Sequence, residues 1–403
     1  MKKKKQLISN TEAKILHEES LVIDTQQPPA TTGFIFTEAM KIELITMEKL
    51  GYSRSESIQK LSKIAEDEIV NSESARNQYM SVWKKSGVNI ASGTYSVGSA
   101  IENAFENSVE KISQAKQYIK ALNGELNLIL NSQDIEDTFK SKKRGLILDF
   151  QDTIPFGTNL DNINHFHQLG VRVVQLTYNL RNLVGDGCTE RYQTGLSYFG
   201  KTVVERLNDL NMAIDVSHSS QQVGWDALEV SKSPIIITHS SSNQICYHDR
   251  GKDDDLAKAV ADKGGFFGVV IVPGFIQNNG NIATLDDFAR HVVHLVNVMG
   301  IDHVGIGSDI CANGPETGVI FDSEFPETMP GQIQYFKQNP KEFNWGGFRE
   351  NHRLTPGYRI SGYDNFGDWP NLTVKLAEWG FNEIELKKIL GLNYLRYFKE
   401  VVG

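Results

Sequence analysis

The chain has 403 residues, 41 of them basic and 50 acidic, for a formal net charge of −9. The shortage of positive charge excludes the electrostatic footprint of a nucleic-acid binder, and an apolar content of 40% excludes an intrinsically disordered chain. Cys188, Cys246 and Cys311 are an odd set with no CxxC pair, which excludes a disulfide framework and a thiolate zinc site.

At the amino terminus, the Lys2–Lys5 run is not followed by an apolar stretch. Ser9, Asn10, Thr11, Glu12 and Lys14 interrupt it, so no signal peptide is read there. The longest apolar runs, around 269–272, fall far short of the ~20 residues of a membrane span. With cysteines so sparse, a cytoplasmic, reducing setting is expected, with neither membrane nor nucleic acid as a partner.

Eight short apolar runs follow: Leu21–Asp24, Val88–Ser92, Leu146–Phe150, Val171–Thr177, Met212–Ser217, Pro234–Thr238, Phe266–Val272 and His303–Ser308. Most are rich in Val and Ile and continuous, as in strands buried on both faces of a parallel sheet. Helical patterns separate them at Ser99–Leu122, Leu160–Leu169, Tyr198–Leu210, Gln221–Val230, Asp254–Lys263 and Leu285–Met299. Eight strands alternating with helices predict an α/β fold, a (β/α)8 TIM barrel, in one domain over 1–403. Two stretches exceed the minimal barrel. Residues 37–77 read as two helices inserted after the first strand, and 311–368 is a long loop after the eighth. The helical tail, Leu372–Glu378 and Glu383–Glu400, should close the barrel.

Function gathers at the carboxyl ends of barrel strands. Asp24, Gln151, Asp152, Tyr178, His218, His239 and Asp309 stand at those ends. His218 ends MAIDVSH and His239 ends PIIITH, one strand–helix unit apart, so they should neighbour each other on the rim. Imidazoles placed so are good ligands for zinc or a similar metal. The other eight histidines carry no such argument: His165, His167, His291 and His294 sit in helical patterns, and His17, His248, His303 and His352 have no positional case. Asp309, ending HVGIGSD, is either a proton acceptor or a helix cap. Arg250 in CYHDRGK is either a bidentate partner of a carboxylate or a solvated loop arginine.

The segments LTYNLRNLVGDGC, GLSYFGKTVVERLNDLNMAIDVSHSS, PIIITHSSSN, HVGIGSD and WPNLTVKLAEWGF…LKKILGLNYLRYF together resemble the membrane (renal-type) dipeptidases, metallopeptidase family M19. The resemblance keeps its order from about Gly145 to Gly403. It implies a metal-dependent barrel related to the amidohydrolases, which usually holds two zinc ions, hydrolyses dipeptides and forms a homodimer. Carried over by position, it makes His218 and His239 ligands of the second metal. It makes Arg250 the binder of the substrate's carboxylate and Asp309 the proton acceptor beside a metal-activated water.

Three departures mark a divergent branch of the family. Gln26 and Pro28 stand where the first metal has its His-x-Asp ligands. Gln151 in LDFQDT replaces the bridging glutamate. Tyr178 in LTYN replaces a carbonyl-polarising histidine, and a phenol can still donate to an oxyanion. A standard two-zinc centre is therefore not expected, but one divalent metal, zinc in the first place, at His218 and His239. Gln151 and Asp24 are weaker candidate ligands, and Asp149, Asp152 and Glu190 are nearby acids. The leading expectation is hydrolysis of a dipeptide or similar small amide with a free carboxylate. The alternatives are an inactive dipeptidase-like barrel that binds peptide-like ligands, and a one-metal enzyme acting on a lactone, a lactam or a small acid. Tyr335, Phe336, Phe343, Trp345 and Phe348 make 311–368 either the lining of a small-molecule site or a packed surface insertion.

Overall fold

The computed structural model describes residues 8–27, 34–96, 102–278, 282–309, 325–326, 328–354 and 360–403. Pro28 and Cys311 lie outside the described residues. The chain forms strands β1 (Ile23–Asp24), β2 (Ile90–Thr94), β3 (Leu126–Leu128), β4 (Arg144–Phe150), β5 (Val171–Gln175) and β6 (Ala213–Asp215). It continues with β7 (Ile236–Ser240), β8 (Phe266–Val269), β9 (Ala283–Thr284), β10 (Val304–Ile306) and β11 (Ile360–Ser361). Eight of them pair in parallel in the order β1-β2-β4-β5-β6-β7-β8-β10, with β3 added alongside β4. The ends of this sheet meet: Thr25 N donates to Ile306 O at 3.0 Å, and Asp309 N to Gln26 O at 2.8 Å. These eight strands are the eight apolar runs of the sequence, so the predicted (β/α)8 barrel is the observed one.

The barrel interior changes character along its axis, because side chains two apart on a strand share a face. At the amino-terminal end, Ile23, Ile90, Ile147, Val173, Ile236 and Phe266 pack together with Tyr394, Tyr397 and Phe398 of the last helix, Asn393–Val401. That helix closes the barrel, as its pattern predicts. Two residues further up β4 and β6 come Asp149 and Asp215, and then the rim. The centre is tight. A Cβ on Gly268 or on Gly307 would lie 2.0 Å from Thr238 O, so only glycine lets these strands approach.

Two expectations about helices need correction. Among the described residues the stretch between β1 and β2 holds helices Glu38–Lys49, Arg54–Asn71 and Glu73–Ser86, so the two expected within 37–77 are followed by a third that runs past it. Ser53 and Ser72 each accept a backbone N–H of the following helix and so start the second and third. Ser72 alone separates those two, a break too short to show as a loss of period. The expected Glu383–Glu400 helix is interrupted by a wider turn at Lys388–Leu392. A Cβ on Gly391 there would lie 2.4 Å from Leu21 O, so the turn packs directly on the segment leading into β1.

Candidate metal centre

His218 follows β6 and His239 lies within β7; both are buried. Their Nε2 atoms face each other at 3.0 Å. Each ring is held by a hydrogen bond on its other nitrogen, and those bonds determine where the protons are. Asn179 turns its amide nitrogen to Gly346 O at 2.8 Å, which leaves Oδ1 toward His218 Nδ1 at 2.6 Å. Nδ1 is therefore the donor. Thr238 Oγ1 donates to Asp215 Oδ2 at 2.6 Å and lies 2.8 Å from His239 Nδ1. The hydroxyl proton is committed to the carboxylate, so His239 Nδ1 also carries a hydrogen. Ser217 Oγ completes the clamp, donating to Asp215 Oδ1 at 2.5 Å and accepting from His239 N at 3.1 Å.

Both Nε2 atoms are thus lone pairs pointed at one another. Burial, and next the Arg250 charge, push both imidazoles well below their usual acidity range, so they stay neutral. Two facing lone pairs repel unless a cation lies between them. Neutral imidazoles with fixed Nδ1 hydrogens are the form that binds zinc and its neighbours, at ~2.0–2.1 Å per nitrogen. This donor pair suits a divalent metal of the kind the family resemblance implies. Gln151, just beyond β4, places its side-chain amide nitrogen 3.4 Å from His239 Nε2.

The acids offered by the sequence are engaged elsewhere. Asp24 accepts from Ser308 N at 2.8 Å, Ser308 Oγ at 2.5 Å and Trp369 Nε1 at 3.0 Å, and so ties β1 to the segment after β10. Burial raises its pKa to about 6 against these donors. Asp149 accepts from Ser92 Oγ and Thr94 Oγ1 at 2.8 and 2.7 Å. Asp152 accepts from Ile154 N, Tyr178 N and Asn182 Nδ2. Glu190 accepts from Arg181 N. Gln26 is buried with its amide nitrogen on Thr94 Oγ1 at 3.0 Å. Among the described residues no group of three or more His, Cys, Asp or Glu side chains converges.

Around the pair stand the other residues singled out in the sequence. The Tyr178 ring stacks on His218, with centroids 4.2 Å apart and planes at 19°. Burial pushes its hydroxyl pKa up, so it remains a donor. Asp309 has a left-handed backbone, φ 55°. Burial lifts its carboxyl to about 7, the Arg250 charge opposes this, and Asp24 adds to it. Arg250 is fully buried beneath the histidines. It donates through Nη1 to Ser217 O and through Nη2 to His239 O, the latter at 3.0 Å, and its Nε has no partner among the described residues. Lys252 is buried too, with Nζ on Ser219 O at 2.5 Å, and burial pushes it down to about 8. Neither cation forms an ion pair among the described residues, and buried cations left without anions are costly.

The sequence reading passed over several contributors. Asn179, Asp215 and Thr238 fix the histidine rings, and they stand in the LTYN, MAIDVSH and PIIITH segments themselves. Period two from Asp215 to Ser217 was the available signal for one of them. His248 and His352 were given no positional case. His248 Nδ1 accepts from Arg250 N at 2.9 Å, and its ring lies 4.9 Å from that of His352. His352 Nε2 lies 3.0 Å from Asp249 Oδ2, so the two brace the Arg250 loop against the rim segment. No local pattern joins residues a hundred positions apart.

The model of the membrane dipeptidases (peptidase family M19) matches residues 34–319. The chain belongs to the membrane dipeptidase family. Dipeptidase tcpJ of Claviceps purpurea is 24% identical over 300 residues, covering 74% of this chain and 60% of that protein. This chain therefore spans less than two thirds of that relative. An amidohydrolase from Pseudomonas aeruginosa is 26% identical, with a TM-score of 0.70 and coverage of 98% of this chain and 99% of that one. A metallo peptidase from Rhodobacter sphaeroides, solved with a phosphinate mimic of L-Ala-D-Ala, has 15% identity and a TM-score of 0.68, covering 95% and 99%. At that identity the likeness speaks for the fold. The family and the barrel expected from the sequence are both met.

Proposed function

We propose that this dipeptidase-family chain is a one-metal hydrolase of dipeptides or similar small amides with a free carboxylate. The observation that carries the proposal is the pair of buried, neutral imidazoles with lone pairs converging at 3.0 Å, beside a buried arginine that forms no ion pair among the described residues. His218 and His239 would hold the metal, zinc in the first place, with Gln151 as a neutral third donor. When bound, such a metal polarises a carbonyl oxygen and acidifies water.

The chain's own residues supply the rest. Arg250 offers its unpartnered Nε hydrogen to the substrate carboxylate, which supplies the missing negative charge. Tyr178 keeps its proton and donates it as a hydrogen bond to the developing oxyanion. Asp309, with an acidity near neutral, takes the proton of the attacking water and returns it to the leaving amine. The Gly346–His352 stretch is tied to this side by Asn179 Nδ2, which donates to Gly346 O. We further propose that 1–403 is one barrel domain, with the helical insertion of 37–77 continuing to Ser86 and the described part of 311–368 as a cover over the rim. A cytoplasmic setting is supported by free, buried Cys188 and Cys246. Among the described residues no helix is long and apolar enough to cross a membrane. A homodimer is the assembly that the family resemblance implies.

Elemental analysis and dipeptide hydrolysis, on wild type and a His218→Ala/His239→Ala variant, test this reading. One metal per chain and hydrolysis, both lost in the variant, are expected. Hydrolysis that survives the double substitution overturns the proposal. A second reading, a barrel that binds peptide-like ligands without turnover, draws on the neutral Gln26 and Gln151. Chelator-insensitive dipeptide binding with no turnover would select it.

A further inference from the structure

A cavity of about 550 Å3 opens beside Tyr178, and neither His218 nor His239 lines it. Its volume falls in the range of small-molecule sites. Ile154, Leu180, Leu183, Phe199, Phe343 and Trp345 form its apolar wall. Its inner polar groups are already satisfied: Asp152 by three donors, Asn182 by Asp152, Thr153 and Leu176 O. Arg181 and Glu190 also line it, Arg181 paired with Asp186 and Glu190 accepting from Arg181 N, so what the cavity offers an occupant is mainly its apolar wall. Phe343 and Trp345 pack edge to face, with centroids 4.7 Å apart, yet remain 60% and 50% exposed. Large apolar side chains left uncovered around a concave surface mark a binding site.

Its position relative to the metal pair gives the orientation. The cavity is bounded by the segments after β4 and β5. Arg250 follows β7 and holds the carbonyls at the ends of β6 and β7. A substrate whose carboxylate meets Arg250 therefore extends its other end past His218 toward Tyr178. We propose that this cavity is a specificity pocket for a large apolar or aromatic side chain on the amino-terminal residue of the substrate. Phe343 and Trp345 contact that side chain directly. The proposal rests on the hydrolase reading above for its orientation, and on the cavity for its chemistry.

The test compares kcat/KM for Phe-Gly, Gly-Phe and Gly-Gly in wild type, Trp345→Ala and Phe343→Ala. Both residues are half exposed, so truncation spares the core. Wild type should favour Phe-Gly over Gly-Gly by about tenfold or more, Gly-Phe should gain far less, and the Phe-Gly preference should collapse in both variants. A preference unchanged within twofold in the variants, or one for Gly-Phe instead, overturns the proposal. Calorimetric titration with N-acetyl-L-phenylalaninamide, which lacks a free carboxylate, separates the two readings. Binding that the variants weaken, without cleavage of any dipeptide, keeps the pocket and sinks the hydrolase. Gly-Gly hydrolysis with no binding of this probe sinks the pocket and keeps the hydrolase.

Discussion

Replacing Thr238 by Val tests the claim that the histidine pair is set for a metal by its surroundings. Valine matches threonine in shape but removes the hydroxyl that donates to Asp215 Oδ2 at 2.6 Å and faces His239 Nδ1 at 2.8 Å. Two buried groups lose their partner at once: a carboxylate that keeps Ser217 and backbone donors, and an imidazole N–H that keeps none. Without an acceptor on Nδ1, His239 can shift its hydrogen to Nε2 and give up its lone pair. Removing such a supporting group typically costs 10–100-fold in metal affinity, about 1.4–2.7 kcal/mol. The unpaired N–H adds a stability loss of roughly 1–3 kcal/mol to the metal-free protein. Zinc titration calorimetry reads the first effect and urea unfolding the second, with circular dichroism as a check on folding. Thr238→Ser keeps the hydroxyl and should bind zinc within about threefold of wild type. Zinc binding by Thr238→Val as tight as wild type would refute the argument. Equal losses in Thr238→Ser and Thr238→Val would reassign the effect to packing.

Further predictions follow from the same geometry. Adding zinc to chelator-stripped protein should raise its Tm, by RT ln(1 + [L]/Kd) in free energy, and His218→Ala/His239→Ala should abolish the rise; differential scanning fluorimetry reads it. The kcat/KM for a dipeptide should fall as pH drops through about 7, where Asp309 takes up a proton. Asp309→Asn should lose at least 100-fold and flatten that limb, on the scale of general-base catalysis, ~10²–10⁴. His17 is buried between Thr373 Oγ1 and Ser86 O, and burial lowers it to about 4. The unfolded chain, with the ordinary value of 6.5, binds this proton first, so folding loses stability as pH falls from 6.5 toward 4. His17→Gln removes that loss: its destabilisation relative to wild type should be smaller by about 2 kcal/mol at pH 5 than at pH 8. Parallel pH–stability curves for the two proteins would contradict it.

The positions of the eight barrel strands were legible because burial on both faces leaves a continuous apolar run, and that run is local. The strand-end histidines were legible for the same reason. The third inserted helix was not, because a single capping serine hides the break between two helices. The roles of the acids were not legible either. Asp24, Asp149 and Asp152 all sit at or near strand ends, as ligands do, yet their oxygens are filled by hydroxyl, indole, amide and backbone donors.

The sequence by itself determined the barrel, its family, and the two imidazoles that face one another. Those features depend on periodicity and on short segments whose neighbours in the chain are also neighbours in space. Only the tertiary structure decided which ring nitrogen carries each hydrogen, that Arg250 is buried with no ion pair among the described residues, and that an apolar cavity lies beside Tyr178. Each depends on contacts across the fold, such as Asn179 with Gly346 or Tyr178 with Phe343 and Trp345 around one cavity. Side-chain protonation and pocket shape are set by whichever atoms the closed barrel brings within reach, and no local pattern encodes that distance.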